Sequence, residues 1–260
     1  NRKDYNIDVN KIEEKINENT GAILPVHLFG NPAEMKKIKE LAEKYDLKIV
    51  EDVAQSFGTN YCGEKLGTLG DAGCFSFFPT KTLGAYGDGG AIVTNDENIY
   101  RKSKMIKNHG AETKYLNEVF GYNSRLDSIQ ASILNLKLRN IDFWINQRIS
   151  AGKHYDESFS SIKGIELLDN SNSTFNYYSL LIKDGKRDDF KQYLDTKGIS
   201  SAIYYPRTLP SLPAHGIDES FPVAEKASEE IISIPIWPNI KQKQLEYVTK
   251  TIKEYFDYKN

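Results

Sequence analysis

Cysteine is scarce. The chain has two, Cys62 and Cys74, too few for a disulfide framework, and no CxxC pair that would start a cysteine-built metal centre. That scarcity fits a reducing, cytoplasmic setting. No apolar run approaches the roughly 20 residues of a membrane-spanning helix, and no basic start followed by an apolar middle marks a signal peptide. The sequence therefore reads as a soluble chain without a membrane partner. Net charge is almost absent, since 34 Lys and Arg stand against 36 Asp and Glu to leave −2. With no cationic block or basic-aromatic stripe, nucleic acid is not an expected partner. The dinucleotide fingerprint GxGxxG and the P-loop GxxxxGK[ST] are both missing, and the first gap disfavours a nucleotide-dependent oxidoreductase. No His, Cys, Asp and Glu cluster has metal-ligand spacing, so no metal is expected. Nor does a methionine open the chain: NRKDYNIDVNKIEEKI enters a helical pattern, Val9, Ile12 and Ile16, almost at once. A domain that begins upstream is the expectation.

What is present reads as alternating elements. AILPVHLFG (22–30) has the character of a short buried strand, and PAEMKKIKELAEKYD of a helix with Met35, Ile38, Leu41 and Ala42 on one face. LKIVED follows as a second strand, so strand, helix and strand form a βαβ crossover with parallel pairing. CFSFF (74–78) and GAIVTND (90–96) are further β-rich runs, the second leading into a helix over 98–107. From Arg125 to about Ser158 the spacing of Leu126, Ile129, Ile133, Leu136 and Ile141 predicts one long helix that bridges two domains. FNYYSLLI, the helix RDDFKQYLDTKG, the strand ISSAIYY and the helix QKQLEYVTKTIKEYF make a smaller α+β unit. The expected division is a large α/β domain over 1–145, incomplete at its start, and a small domain over 146–260.

Open α/β sheets bind ligands at the carboxyl ends of their strands. Asp52 ends one strand, and SFFPTKTLGAYGDGG leaves another, so Asp52, Gln55, Ser76 and Lys81 supply an acid, an amide, a hydroxyl and an amine to one crevice. This set suits pyridoxal phosphate. A lysine can condense with the aldehyde as a Schiff base, and a carboxylate beside the pyridine nitrogen keeps it protonated. A protonated ring is an electron sink. An amide can hold the ring's phenolic oxygen, and a hydroxyl with turn amides can bind the phosphate. Glycines after Lys81 let the backbone turn and leave the cofactor face uncrowded. Each residue also has a plain reading: Asp52 as a turn acid, Ser76 on the far side of a pleat, Lys81 as a surface lysine, the glycines as a hairpin turn.

EDVAQSFG, CFSFFPTKTLGAYGDGGAIVTND and GYNSRLDSIQASIL, in this order, resemble the DegT/DnrJ-type nucleotide-sugar aminotransferases, which are fold type I pyridoxal phosphate enzymes. PVHLFGNP, KNHGAETKY and FPVAEKASEEIISIPIWP extend the likeness through almost the whole chain. The resemblance implies a mostly parallel sheet flanked by helices in the large domain, and a smaller C-terminal α+β domain. It makes Lys81 the Schiff-base lysine and proton shuttle, Asp52 the partner of the pyridine nitrogen, Gln55 the contact to the phenolic oxygen and Ser76 a phosphate ligand. Asn123 would reach the phosphate of the neighbouring subunit's cofactor, and Arg125 would lie near the nucleotide-sugar, in a homodimer with shared active sites. A turn or N-cap residue is the plain reading of Asn123, and a solvated first-turn residue that of Arg125. For His27 and His109, in matching segments, a local hydrogen-bonding role and a catalytic one both stay open.

The implied reaction moves an amino group from an amino-acid donor, glutamate, to a nucleotide-linked keto-sugar in polysaccharide biosynthesis. The turn KTLGAYGDGG looks more like members acting at C3 than at C4. Two departures bear on this. Family members carry about a hundred residues before the point where this chain begins, including a phosphate-holding helix start and an aromatic that stacks on the ring. YYPRTLPSLPAH departs from the tyrosine-proline and histidine pattern near the family's substrate pocket. A sugar dehydratase of the same family would have histidine where Lys81 stands, and a non-catalytic regulatory or interaction protein is the alternative from another class.

Overall fold

A computed structural model describes residues 1–216 and 219–258. Where the sequence predicted an opening helix, the chain makes two 3-10 turns, Val9–Lys11 and Glu13–Lys15. Asp8 caps the first by accepting from Asn10 N, and Ile16 is already extended, so there is no room for an α-helix to propagate. Strand β1 is only Ala22–Ile23, because Pro25 has no N–H to give to a ladder. Val26 rejoins the sheet by a single parallel bridge to Asp52.

Helix α1 (Met35–Tyr45) buries Met35, Ile38 and Ala42 along one face and delivers the chain to β2 (Lys48–Asp52). A hairpin of β3 (Asn60–Tyr61) and β4 (Glu64–Lys65) follows, with positive φ at Cys62 and Gly63 as a two-residue turn requires. Then come β5 (Ala72–Ser76), β6 (Gly90–Val93) and α2 (Glu97–Ile106), whose first turn is capped by the Asp96 carboxylate. The sheet runs β1-β2-β5-β6. β1, β2 and β5 are parallel, with Ile23 opposite Ile49 and Asp52 opposite Cys74, whereas β6 returns antiparallel. β7 (Ala111–Thr113) and β8 (Leu116–Asn117) form a small hairpin.

The single helix expected from Arg125 onward is two, α3 (Ser128–Leu138) and α4 (Ile141–Phe159). Asn140, a poor helix former, donates its N–H only three residues back, to Lys137 O, and the helix restarts after it. The apolar spacing does not turn inward either: Ile129 and Leu136 are 74% and 64% exposed, and Leu134 is buried.

The remainder is built on β9 (Ile165–Leu167), β10 (Tyr178–Ile182) and β11 (Ile231–Ile234), an antiparallel sheet in the order β11-β10-β9. Helices α5 (Arg187–Thr196), α6 (Pro222–Glu230) and α7 (Gln242–Tyr258) accompany it. ISSAIYY is not a strand. It pairs with β11 through one bridge, Ala202 with Ser233, and then leaves. β10 and β11 are buried throughout, in a core with Tyr155, Phe159, Phe190 and Ile252. Two compact units result, residues 6–142 and residues 1–5 with 143–260. Residues 1–5 and 143–145, which the sequence placed in the large domain, fall in the second unit.

Candidate active site

Alternation along β2 decides which side chains face which way. Ile49 and Glu51 are buried on one face, and Val50 and Asp52 lie half-buried on the other. Asp52 therefore ends the strand with its carboxylate on the same side as the end of β5, and Oδ1 accepts from Ala54 N at 2.9 Å, which fixes the carboxyl group. Its backbone is tied to the neighbouring chain by Asp52 N to Pro25 O at 2.9 Å and His27 N to Asp52 O at 3.1 Å. A cavity of about 190 Å³ opens here, lined by Leu24, Val50, Asp52, Ala54, Cys74 and Ser76 among others. Asp52 and Ser76 thus meet in one recess. Burial and the Asp52 charge push the Cys74 thiol up, so this wall presents a neutral S–H.

Ser76 Oγ accepts from Phe78 N at 3.3 Å, and the chain then folds into a closed loop. Lys81 N donates to Phe78 O at 2.9 Å, Ala85 N to Phe77 O at 2.8 Å, and Phe77 N to Gly89 O at 2.7 Å. Lys81 is half-buried on this loop, five residues past Ser76 and outside the cavity lining. Gly84, Gly87, Gly89 and Gly90 do not take the left-handed backbone that glycine adopts freely. Close approach is the reason for Gly84: a Cβ there would lie 2.4 Å from Pro79 O.

Gln55 does not line the recess. It is buried, and its Oε1 accepts from Phe29 N at 2.8 Å, holding a residue with φ of 59°. Asn123 and Arg125 also stand apart. Residues 122–124 run antiparallel to 106–109 and leave the Asn123 side chain exposed. Arg125 Nη1 bonds Asn108 Oδ1 at 3.1 Å and His109 Nε2 at 3.0 Å. His27 is part of the scaffold. Ala33 N donates to its Nδ1 at 3.0 Å, so Nε2 carries the proton and donates to Glu51 Oε2 at 3.1 Å, both side chains being fully buried.

The set fits pyridoxal phosphate chemically, with a carboxylate, a hydroxyl and apolar walls at the ends of two parallel strands and an amine on the loop that leaves one of them. The DegT/DnrJ/EryC1/StrS aminotransferase family model matches residues 1–253. The chain belongs to this family. Its members are pyridoxal phosphate-dependent aminotransferases. Among relatives of this DegT/DnrJ/EryC1/StrS protein, one from Geobacillus stearothermophilus, named a pleiotropic regulatory protein, is 40% identical over 97% of the chain and 70% of its own length. The dTDP-3-amino-3,6-dideoxy-alpha-D-galactopyranose transaminase of Aneurinibacillus thermoaerophilus is 39% identical over 96% of the chain and 70% of its own length. Among solved structures, S. venezuelae DesV in complex with a ketimine intermediate superposes with a TM-score of 0.93 at 33% identity, over 99% of this chain and 71% of that one.

Sequence reasoning missed one supporting group in this DegT/DnrJ/EryC1/StrS chain. Glu51, next to Asp52, accepts from Gly67 N at 2.8 Å, and from Leu69 N and Gly70 N at 2.7 Å, besides His27. Burial alone would raise its carboxyl, but these four donors outweigh that and hold it below the ordinary value. The signal was in EDVAQS all along, since alternation puts one of two adjacent acids at the end of a strand inside.

Proposed function

We propose that this aminotransferase moves an amino group from an amino-acid donor, glutamate, to a nucleotide-linked keto-sugar, at C3. The observation that carries the reading is the recess at the ends of β2 and β5, which joins Asp52 and Ser76 just before the loop bearing Lys81. Family membership supports the transfer, and the 39% identical relative, named for a 3-amino sugar, supports the position. When bound, pyridoxal phosphate would supply the electron sink.

The chain's residues would then divide the work. Asp52 holds a proton on the pyridine nitrogen by the favourable field of a nearby anion. Ser76 gives its hydroxyl to the phosphate. The family resemblance would give Gln55 the ring's phenolic oxygen, while its own oxygen is engaged by Phe29 N. Lys81 would hold the cofactor through its amine and would move the proton between the two reacting carbons. Asn123 and Arg125 serve the site of a second copy, where a guanidinium suits a diphosphate.

The second reading is a regulatory protein without turnover, favoured by the name of the 40% identical relative. One experiment separates them. The protein loaded with pyridoxal phosphate is mixed with glutamate alone, and its spectrum and 2-oxoglutarate release are followed. Stoichiometric conversion that disappears in Lys81→Ala supports transamination, whereas a loaded protein whose spectrum glutamate leaves unchanged sinks it.

A further inference from the structure

The loop that carries Lys81 is held from outside by helix α3. Its own bonds close it at the base, through Phe77 to Ala85 and Gly89, and at the Phe78–Lys81 turn. Its tip, residues 84–87, is held by α3. Gln130 Oε1 accepts from Tyr86 N at 2.8 Å. Seven residues on, two turns along the same helix face, Lys137 Nζ donates to the Gly84 carbonyl and lies 4.6 Å from the centre of the Tyr86 ring. Both side chains are half-buried, and burial lowers the Lys137 pKa.

Three features bear on this contact. Gln130, the buried Leu134 and Lys137 share one face of the helix, so the face that packs inward is also the one that reaches the loop, while Ile129 and Leu136 are exposed. Gly87 leaves room for the amide, since a Cβ there would come within 3.0 Å of Gln130 Nε2. A Cβ at Gly84 would lie 2.4 Å from Pro79 O, so the backbone that offers its carbonyl to Lys137 runs close to the turn that holds Lys81.

We propose that Gln130 and Lys137 are positioning residues for Lys81, setting through residues 84–86 where its amine stands relative to Asp52 and Ser76. The inference rests on the reading of Lys81 as the cofactor lysine. A reacting group misplaced by about 1 Å loses on the order of 10²-fold in rate, so the clamp acts on turnover without touching cofactor or substrate.

The test uses Gln130→Leu and Lys137→Met, which remove the acceptor and the donor, with Gln130→Glu and Lys137→Arg, which keep them. In the cofactor-free chain, amide exchange at residues 84–86 should quicken in the first pair and not the second, with β2 and β5 unchanged. With pyridoxal phosphate bound, the pH titration of its absorbance should shift in the first pair. Turnover should fall about 10–100-fold at unchanged KM for the amino donor. Borohydride reduction and peptide mapping of the parent locate the cofactor lysine. A label on Lys81 with exchange, titration and turnover all parent-like in Gln130→Leu and Lys137→Met overturns this inference alone. A label on another lysine overturns the functional reading and this inference with it. Faster exchange across the whole sheet, equal in Gln130→Glu, would make the pair general stabilisers and also overturn it.

Discussion

Glu51 in the first unit and Asp156 in the second are carboxylates drawn into protein, yet they titrate in opposite directions. Both oxygens of Glu51 are served, by His27 and three backbone N–H groups, and its pKa is lowered. Asp156 has one oxygen served, Oδ1, by the Tyr178 hydroxyl at 2.8 Å and Asn170 Nδ2 at 3.1 Å. Burial outweighs those two bonds and, with Glu157 nearby, raises its pKa. The number and charge complement of the donors, rather than burial, therefore sets the sign. Glu51 organises what surrounds it, tying β2 to the 67–70 loop and to His27, whereas Asp156 is accommodated at the edge of an aromatic core.

Both tryptophans, Trp144 and Trp237, lie in the second unit. Their fluorescence follows that unit, and amide exchange of β2 follows the first. The largest expected effect is that of Glu51→Gln, which turns an amide N–H₂ toward backbone donors and leaves buried groups unpaired, at a cost of about 3–5 kcal/mol. It should appear as lost protection in β2 and residues 67–70 with little change in fluorescence. Retained protection there would show that the four donors do not depend on the charge.

A smaller effect comes from acid. Glu51, with its pKa lowered by folding, gives stability that is fully present above the unfolded carboxyl value of about 4.3 and is lost as pH falls through the folded value. Asp156, with its pKa raised, gives stability that is full below about 3.9 and lost as pH rises through its folded value. Acidification from neutral should thus strengthen the fluorescence-reported unit before it weakens β2. Parallel weakening of both from the outset would break the contrast. The smallest effect is that of Asp156→Asn, which keeps an acceptor for Tyr178 and should change the fluorescence transition at neutral pH by no more than about 1 kcal/mol, upward if at all. Urea titration of both forms at two pH values measures it, and a large loss at neutral pH would give Asp156 the organising role assigned to Glu51.

The parts of the fold that were legible in sequence are those set by local rules. The βαβ unit follows from the period of Met35, Ile38 and Ala42 and from the apolar runs on each side. The turn at Asn140 that splits the long helix has no comparable signal, because the apolar spacing continues across it. That spacing also misled about direction, since Ile129 and Leu136 face outward and the polar Gln130 and Lys137 meet the loop. ISSAIYY has strand composition but finds one residue of β11 to pair with. At the site, Asp52 and Ser76 could be placed by counting to strand ends. The hold of Phe29 on Gln55, and of Asn108 and His109 on Arg125, depends on loop conformations that no periodicity encodes.

Lys3 O accepts from Asp169 N at 2.8 Å, within a unit whose other residues begin at 143. During synthesis residues 1–5 therefore emerge long before their partner exists. At ribosomal speeds of about 5–20 residues per second they wait roughly ten to thirty seconds for Asp169, while 6–142 can already fold behind them. A nascent chain arrested before that point should leave residues 1–5 without this contact, exposed to proteolysis until residue 169 has emerged.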